Sequence, residues 1–242
     1  MDILVWLRAE ADVLEGWELF SSLGVLQKSL PAVTYEPVMN RELLMQSLDD
    51  GALNPLLFAS ERAVRYFFEI LGRDFALTYL KRASRVFSVG NRGRLLLQKS
   101  WSSDARVQVV DCMASVFQYL PHGTVLNYPC SEQYVLEEVS RAITSGVKLM
   151  PMPIYTSRCL MIDNLLEELF TQFEYPGFLV LAPSQALSLR RFVKHSFVTF
   201  CMGRRSFETL LAWGMPRVVS ANEATLQGLF LAVKTHLGEV RP

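Results

Sequence analysis

Several short segments of this chain carry groups that can hold an anion or move a proton. Ser60 follows the apolar run Leu56-Leu57-Phe58-Ala59, and Ala63, Val64, Phe67, Phe68 and Leu71 follow it at helical spacing. A serine there caps a helix start, where free N–H groups and the helix dipole favour negative charge. Asn91 and Arg92 stand behind Gly90, at the end of Arg85-Val86-Phe87-Ser88-Val89. Gly203, Arg204 and Ser206 stand in the same way behind Phe197–Cys201, and Ser131 follows Thr124–Tyr128 and Pro129-Cys130. Each reads as strand, tight turn and helix start. Tyr155 and Thr156 follow the apolar stretch ending at Ile154; a phenol there can donate a proton to a departing oxygen. Arg8 ends the first strand, Ile3–Leu7, at the carboxyl edge where open α/β sheets bind ligands. His122, His195 and His236 share no metal-ligand spacing, and no metal site is expected.

Two of these segments form a faint repeat. Leu57-Phe58-Ala59-Ser60-Glu61-Arg62-Ala63-Val64 is answered by Leu181-Ala182-Pro183-Ser184-Gln185-Ala186-Leu187, and a strand ending in glycine lies downstream of each. Two similar lobes serving one ligand is the implied plan.

The elements that must position these groups alternate. Strands are expected at 3–7, 25–30, 56–59, 85–89, 107–110, 124–128, 147–154, 178–181, 197–201 and 218–219. Helices are expected between them, including Val13–Leu23, Arg41–Leu48, the run after Ser60, Ser115–Leu120, Ser131–Thr144, Cys159–Phe173, Ser184–Phe192, Ser206–Trp213 and Glu223–Leu237. Such alternation argues for parallel sheets covered by helices on both faces. Prolines at 31, 37, 151 and 153 mark two extended linkers, 33–38 and 153–158. The first piece holds one βαβ unit and is too short to build a core. It therefore joins the last piece: residues 1–32 and 159–242 form one discontinuous α/β domain, and 39–152 form a second inserted into it.

Length and composition narrow the function. The 242 residues fit one large domain or two small ones, and half of them are hydrophobic. Lys+Arg and Asp+Glu are 24 each, so net charge is zero. General nucleic-acid or membrane-surface binding, which wants a basic excess, is disfavoured. No apolar run reaches the ~18 residues of a membrane span. The N-terminus reads as a strand, not a secretory leader. Cys112, Cys130, Cys159 and Cys201 are scattered without a C-x-x-C, which suits reduced thiols in a cytoplasmic protein.

Leu4-Val5-Trp6-Leu7-Arg8, Phe58-Ala59-Ser60-Glu61-Arg62-Ala63-Val64, Val89-Gly90-Asn91, Pro129-Cys130-Ser131, Ile154-Tyr155-Thr156, Met202-Gly203-Arg204-Arg205-Ser206 and Glu223-Ala224-Thr225-Leu226-Gln227-Gly228-Leu229 succeed one another in an order that resembles uroporphyrinogen-III synthase. The likeness covers nearly the whole chain. It implies two α/β domains joined by a two-stranded linker, with the active site in the cleft between them. It implies the substrate hydroxymethylbilane, a linear tetrapyrrole with eight carboxylates, cyclised with loss of water and inversion of the last ring. It implies no cofactor or metal, and a monomer with room for transient contact with hydroxymethylbilane synthase. Tyr155 matches the family's tyrosine and is the expected catalytic residue. Arg8, Ser60, Asn91, Arg92, Ser131, Thr156, Gly203, Arg204 and Ser206 are the expected substrate contacts.

The chain departs from the family at Gly93, where a hydroxyl residue is common, and at Pro183, which stands opposite Ser60 in the repeat. These departures leave an inactive relative open. Two hinged lobes would also serve a non-enzymatic binding module for an anionic ligand. A nucleotide enzyme is disfavoured, since neither G-x-G-x-x-G nor a Walker sequence is present.

Overall fold

The computed structural model describes residues 1–8, 14–49, 53–101 and 106–240. The chain divides into two compact units, Met1–Thr34 with Arg158–Pro242, and Tyr35–Ser157.

The first unit is built on a five-stranded parallel sheet. Its strands are β1 (Ile3–Trp6), β2 (Leu26–Ser29), β9 (Gly177–Val180), β10 (Val198–Cys201) and β11 (Val218–Ser220), in the order β11-β10-β9-β1-β2. β1, β9 and β10 are buried along their whole length, and all but Thr199 of β10 lack a polar side chain. Leu4, Trp6, Phe20, Leu179, Phe200, Leu229 and Val233 pack together on one face, under α1 (Leu14–Ser21) and α10 (Leu226–Val240). Phe170, Phe178, Phe192 and Phe197 cluster around α8 (Asp163–Gln172) and the 3-10 run Pro183–Phe192.

The second unit is built on a six-stranded sheet. The strands are β3 (Val33–Pro37), β4 (Leu56–Phe58), β5 (Val86–Val89), β6 (Val107–Val110), β7 (Val125–Ser131) and β8 (Lys148–Cys159), in the order β3-β8-β7-β4-β5-β6. Alternate residues point to opposite faces. Phe58 joins Val64, Phe67, Leu71 and Leu80 on one side, under α2 (Arg41–Asp49), α3 (Glu61–Leu71), α4 (Arg73–Arg82) and α5 (Gly90–Ser100). Leu57 joins Phe87, Val116 and Leu126 on the other, near α6 (Met113–Phe117) and α7 (Val135–Thr144).

The structure revises several sequence expectations. The strand expected to stop at Ile154 runs on through the extended segment 155–158 as the end of β8, one continuous strand through Pro151 and Pro153. The two prolines are two apart, so their missing N–H groups face one side, and the ladder to β7 runs unbroken across them. The Val38 N–H bonds to Ile154 O, and the Leu160 N–H to Ala32 O. Numbering thus runs in opposite senses along β3 and β8, and the two strands are antiparallel. β7 extends through Pro129 to Ser131, so Ser131 ends a strand where a helix start was expected. α8 begins at Asp163, not Cys159, and the segment after Ala182 is 3-10 rather than α-helical. α4 was not foreseen. Gly72, with φ 76°, ends α3 by donating its N–H to Phe68 O and lets the chain restart at once. Among the described residues no helix is long and apolar enough to cross a membrane.

A buried thiol gives this core an alkaline weakness. Cys201, at the end of β10, is fully buried, and burial pushes its thiol from the ordinary 9.0 up to about 11. The unfolded thiol ionises first as pH rises, so this stabilisation is intact below pH 9 and lost between about 9 and 11. The urea midpoint should fall across that window, with a share on the order of 1–2 kcal/mol from this thiol. Cys201→Ala should flatten the slope between pH 9 and 11; an unchanged slope would assign the weakness elsewhere.

Candidate active site

In an open parallel sheet, ligands bind beyond the carboxyl ends of the strands, where the strand order reverses. In the second unit that point lies between β4 and β7, the neighbours that pair through Leu56 and Asn127. Ser60 follows β4 and Ser131 ends β7, so both stand at this edge.

Ser60 is extended, with φ −154° and ψ 155°, and its Oγ accepts the Ala63 N–H at 3.1 Å. It is the N-cap of α3, whose face of Ala63, Val64, Phe67 and Leu71 anchors the helix to the sheet. A register shift between Cys130 and Ser131 sets Ser131 opposite Tyr155, skipping Ile154. Such a bulge re-aims a side chain at a sheet edge. Tyr155 Oη lies 3.1 Å from Ser60 Oγ, and either hydroxyl can donate. Thr156 is next along β8 and is buried, as is Ser131, whose Oγ accepts the Gln133 N–H.

Three further side chains complete the surroundings. Tyr66 stacks on Tyr155, with ring centroids 5.3 Å apart and planes 12° apart. Tyr35 meets Tyr155 edge-on at 6.4 Å, and the Arg62 guanidinium lies 3.6 Å over the Tyr35 ring. Burial raises the Tyr155 phenol above the ordinary 10.0, while the Ser60 hydrogen bond and the Arg62 charge pull it back. The phenol is therefore protonated at neutral pH and able to give a proton. Tyr35 and Tyr66 were missed by sequence reasoning. Tyr66 reads as one more apolar residue of α3, and its spacing of four from Arg62 was the available signal. Tyr35 carried none.

Asn91 and Arg92 are exposed in the first turn of α5, after β5, the neighbour of β4 along the same edge. Gly90 has φ 72°, a conformation that suits glycine, and it makes the turn after β5.

The remaining expected contacts belong to the first unit. Arg8 follows β1, half-buried, and its carbonyl accepts the Ser29 hydroxyl. An ion pair from Arg8 to Glu10 or Asp12, the mundane alternative, lies outside the described residues. Gly203 precedes α9 (Arg204–Ala212), and Ser206 is buried in its first turn. Arg204 is turned along its own helix: its Nε donates to Glu208 at 2.7 Å, and its side chain is 90% exposed. The second repeat turn does not copy the first. There the Gln185 carbonyl oxygen accepts the Leu181 and Ala182 N–H groups at 2.8 and 3.2 Å. Those amides are spent internally, and Pro183 stands at the first position of the 3-10 run, where its missing N–H is not needed.

Comparison with known proteins bears on the family and the fold. A family model described as Uroporphyrinogen-III synthase HemD matches residues 18–230. A search of curated proteins gave no significant match. Among solved structures, uroporphyrinogen-III synthetase from Helicobacter pylori is similar with a TM-score of 0.68 at 17% identity, over 98% of this chain and 100% of that one. A mutant uroporphyrinogen III synthase from Thermus thermophilus is similar with a TM-score of 0.63, also at 17% identity, over 99% and 100%. At such identity the structures speak for the fold, while the family model, spanning most of the chain, speaks for descent. The chain belongs to the uroporphyrinogen-III synthase family, the lyases that close the tetrapyrrole ring.

Proposed function

We propose that this chain converts hydroxymethylbilane to uroporphyrinogen III, with Tyr155 assisting departure of the terminal hydroxyl. The observation that supports Tyr155 is its buried, protonated phenol on Ser60 at the strand-order reversal of the second unit. The phenol proton passes to the hydroxyl oxygen as the C–O bond breaks, and water leaves. The pyrrole nitrogen lone pair stabilises the resulting azafulvene cation. The last ring attacks through its substituted carbon, the spiro intermediate fragments, and the ring recloses inverted. Aromaticity returns when the closing carbon loses its proton, and that proton restores the phenol. The net change is loss of one water, and no cofactor is required.

Without an enzyme the same cation closes to the uninverted isomer, so the main task is to hold one conformation. Each unit contributes carboxylate contacts at its own edge in this reading. Arg8, Gly203, Arg204 and Ser206 serve from the first unit, and Asn91, Arg92, Ser131 and Thr156 from the second. The Arg204–Glu208 pair is exposed, and such pairs are weak enough to be exchanged for a substrate carboxylate. We read the enzyme as a cytoplasmic monomer that receives its labile substrate through transient contact with hydroxymethylbilane synthase.

The test supplies hydroxymethylbilane freshly made by its synthase, without added metal or nucleotide, and separates the products. Type III product should dominate. Type I product alone, from protein shown to be folded, would overturn the proposal.

A further inference from the structure

The two hydroxyls at the heart of the site have different surroundings, and those surroundings divide the work between them. Ser60 Oγ already accepts the Ala63 N–H, an amide held by α3 at the positive end of its dipole. A hydroxyl oxygen polarised in this way becomes a better donor through its own proton. Tyr155 is held from two sides, by the Tyr66 ring stacked on it and the Tyr35 edge against it. Arg62 in turn lies over Tyr35. These rings resist any swing that would take Oη away from Ser60.

We infer that Ser60 is a positioning residue that acts through Tyr155, donating its O–H to the phenol oxygen, rather than a contact for a substrate carboxylate. The inference rests on the reading of Tyr155 as the acid. In the resting site either hydroxyl donates. Once the phenol proton turns to the departing oxygen, only Ser60 is left to donate between the two. As that proton transfers, negative charge grows on Oη. The Ser60 hydrogen bond strengthens with it, backed by the Ala63 amide. The gain in strength arises only as the transition state forms, so it should appear in turnover. The O–H bond of the tyrosine breaks, the proton goes to the leaving oxygen, and ring closure returns one; nothing else is consumed. The titratable and charged groups facing the phenol are Arg62 and Tyr66 from α3, Tyr35 from β3 and Cys130 from β7, with Glu69 acting on Tyr66.

Three substitutions separate the possibilities. Ser60→Ala removes both cap and donor. Ser60→Asp keeps a cap acceptor for the Ala63 N–H but has no proton to donate at neutral pH. Ser60→Thr keeps both. We expect kcat to fall about tenfold in Ser60→Ala, with KM changed less than about twofold. Ser60→Asp should fall at least as far while melting near the wild-type temperature, and Ser60→Thr should recover most of the turnover lost in Ser60→Ala. In protein labelled at the tyrosine ring Cζ, the Tyr155 NMR resonance, identified by its loss in Tyr155→Phe, should move in both Ser60→Ala and Ser60→Asp. A raised KM with normal kcat in Ser60→Ala would make Ser60 a substrate contact. Full turnover in Ser60→Asp would make it a cap alone. An unmoved Tyr155 resonance would overturn the inference whatever the kinetics. If wild-type protein makes no type III product, the proposed function fails, and the resonance still decides the Ser60–Tyr155 bond.

Discussion

Tyr155→Phe should lower kcat about 10- to 100-fold and leave KM nearly unchanged. The substitution removes one oxygen and keeps the ring, so the stack on Tyr66 and the edge contact with Tyr35 survive. Ser60 keeps its cap bond to Ala63. What disappears is the proton given to the departing hydroxyl. The loss is moderate because the cation left behind is resonance-stabilised and the hydroxyl departs readily. The product that does form on the variant should still be type III, because conformation is imposed by binding and not by the phenol. In the wild type, the phenol must be protonated to act, and burial raises it above 10.0. Turnover should therefore not be lost through this group near neutrality, and should decline only as pH rises above about 10. Single-turnover kinetics with product separation would check both statements. Unchanged turnover in Tyr155→Phe would return the tyrosine to a packing role.

The parts of this site differ in how plainly sequence carries them. α3 is announced by a serine followed by an apolar face at helical spacing, and the structure puts Ser60 at its cap. The buried strands β1, β4 and β9 carry no polar side chain and read directly as core of parallel sheets. What sequence hides is registration. Nothing local says that β7 passes through Pro129, or that a bulge after Cys130 brings Ser131 opposite Tyr155. The Ser60–Tyr155 bond joins residues 95 apart in the chain, a distance no pattern reports. Turn chemistry misleads in the other direction. The segments around Ser60 and Ser184 look alike, yet Gln185 folds back onto the amides of the second turn. Whether a turn offers its N–H groups to a ligand depends on whether a nearby side chain has already taken them.

Gly93→Ala should destabilise the protein by about 1–3 kcal/mol, and Ser88→Ala in the same chain should return a large part of that loss. A helix residue usually gains from glycine to alanine, so the expected sign is opposite to propensity. The cause lies in the strand beneath. A Cβ at position 93 would stand 2.6 Å from Ser88 Oγ, whereas Ser88 Cβ is 3.8 Å away. Ser88 is fully buried, and its hydroxyl donates to Gly90 O at 3.2 Å. Turning that hydroxyl aside would leave it unpaired in the core, which costs about as much as the clash. With alanine at both positions the two methyl groups meet at ordinary contact distance, and the helix gains back its propensity. The missing hydroxyl at position 93 is thus matched by a hydroxyl on β5 that fills the same space. That hydroxyl also ties the carbonyl of the Gly90 turn from which Asn91 and Arg92 emerge. Chemical denaturation of the two single variants and the double variant forms the cycle. The expected coupling is at least about 1 kcal/mol in the compensating direction. Additive effects would show that Gly93 and Ser88 do not share this space, and Gly93 would then need another explanation.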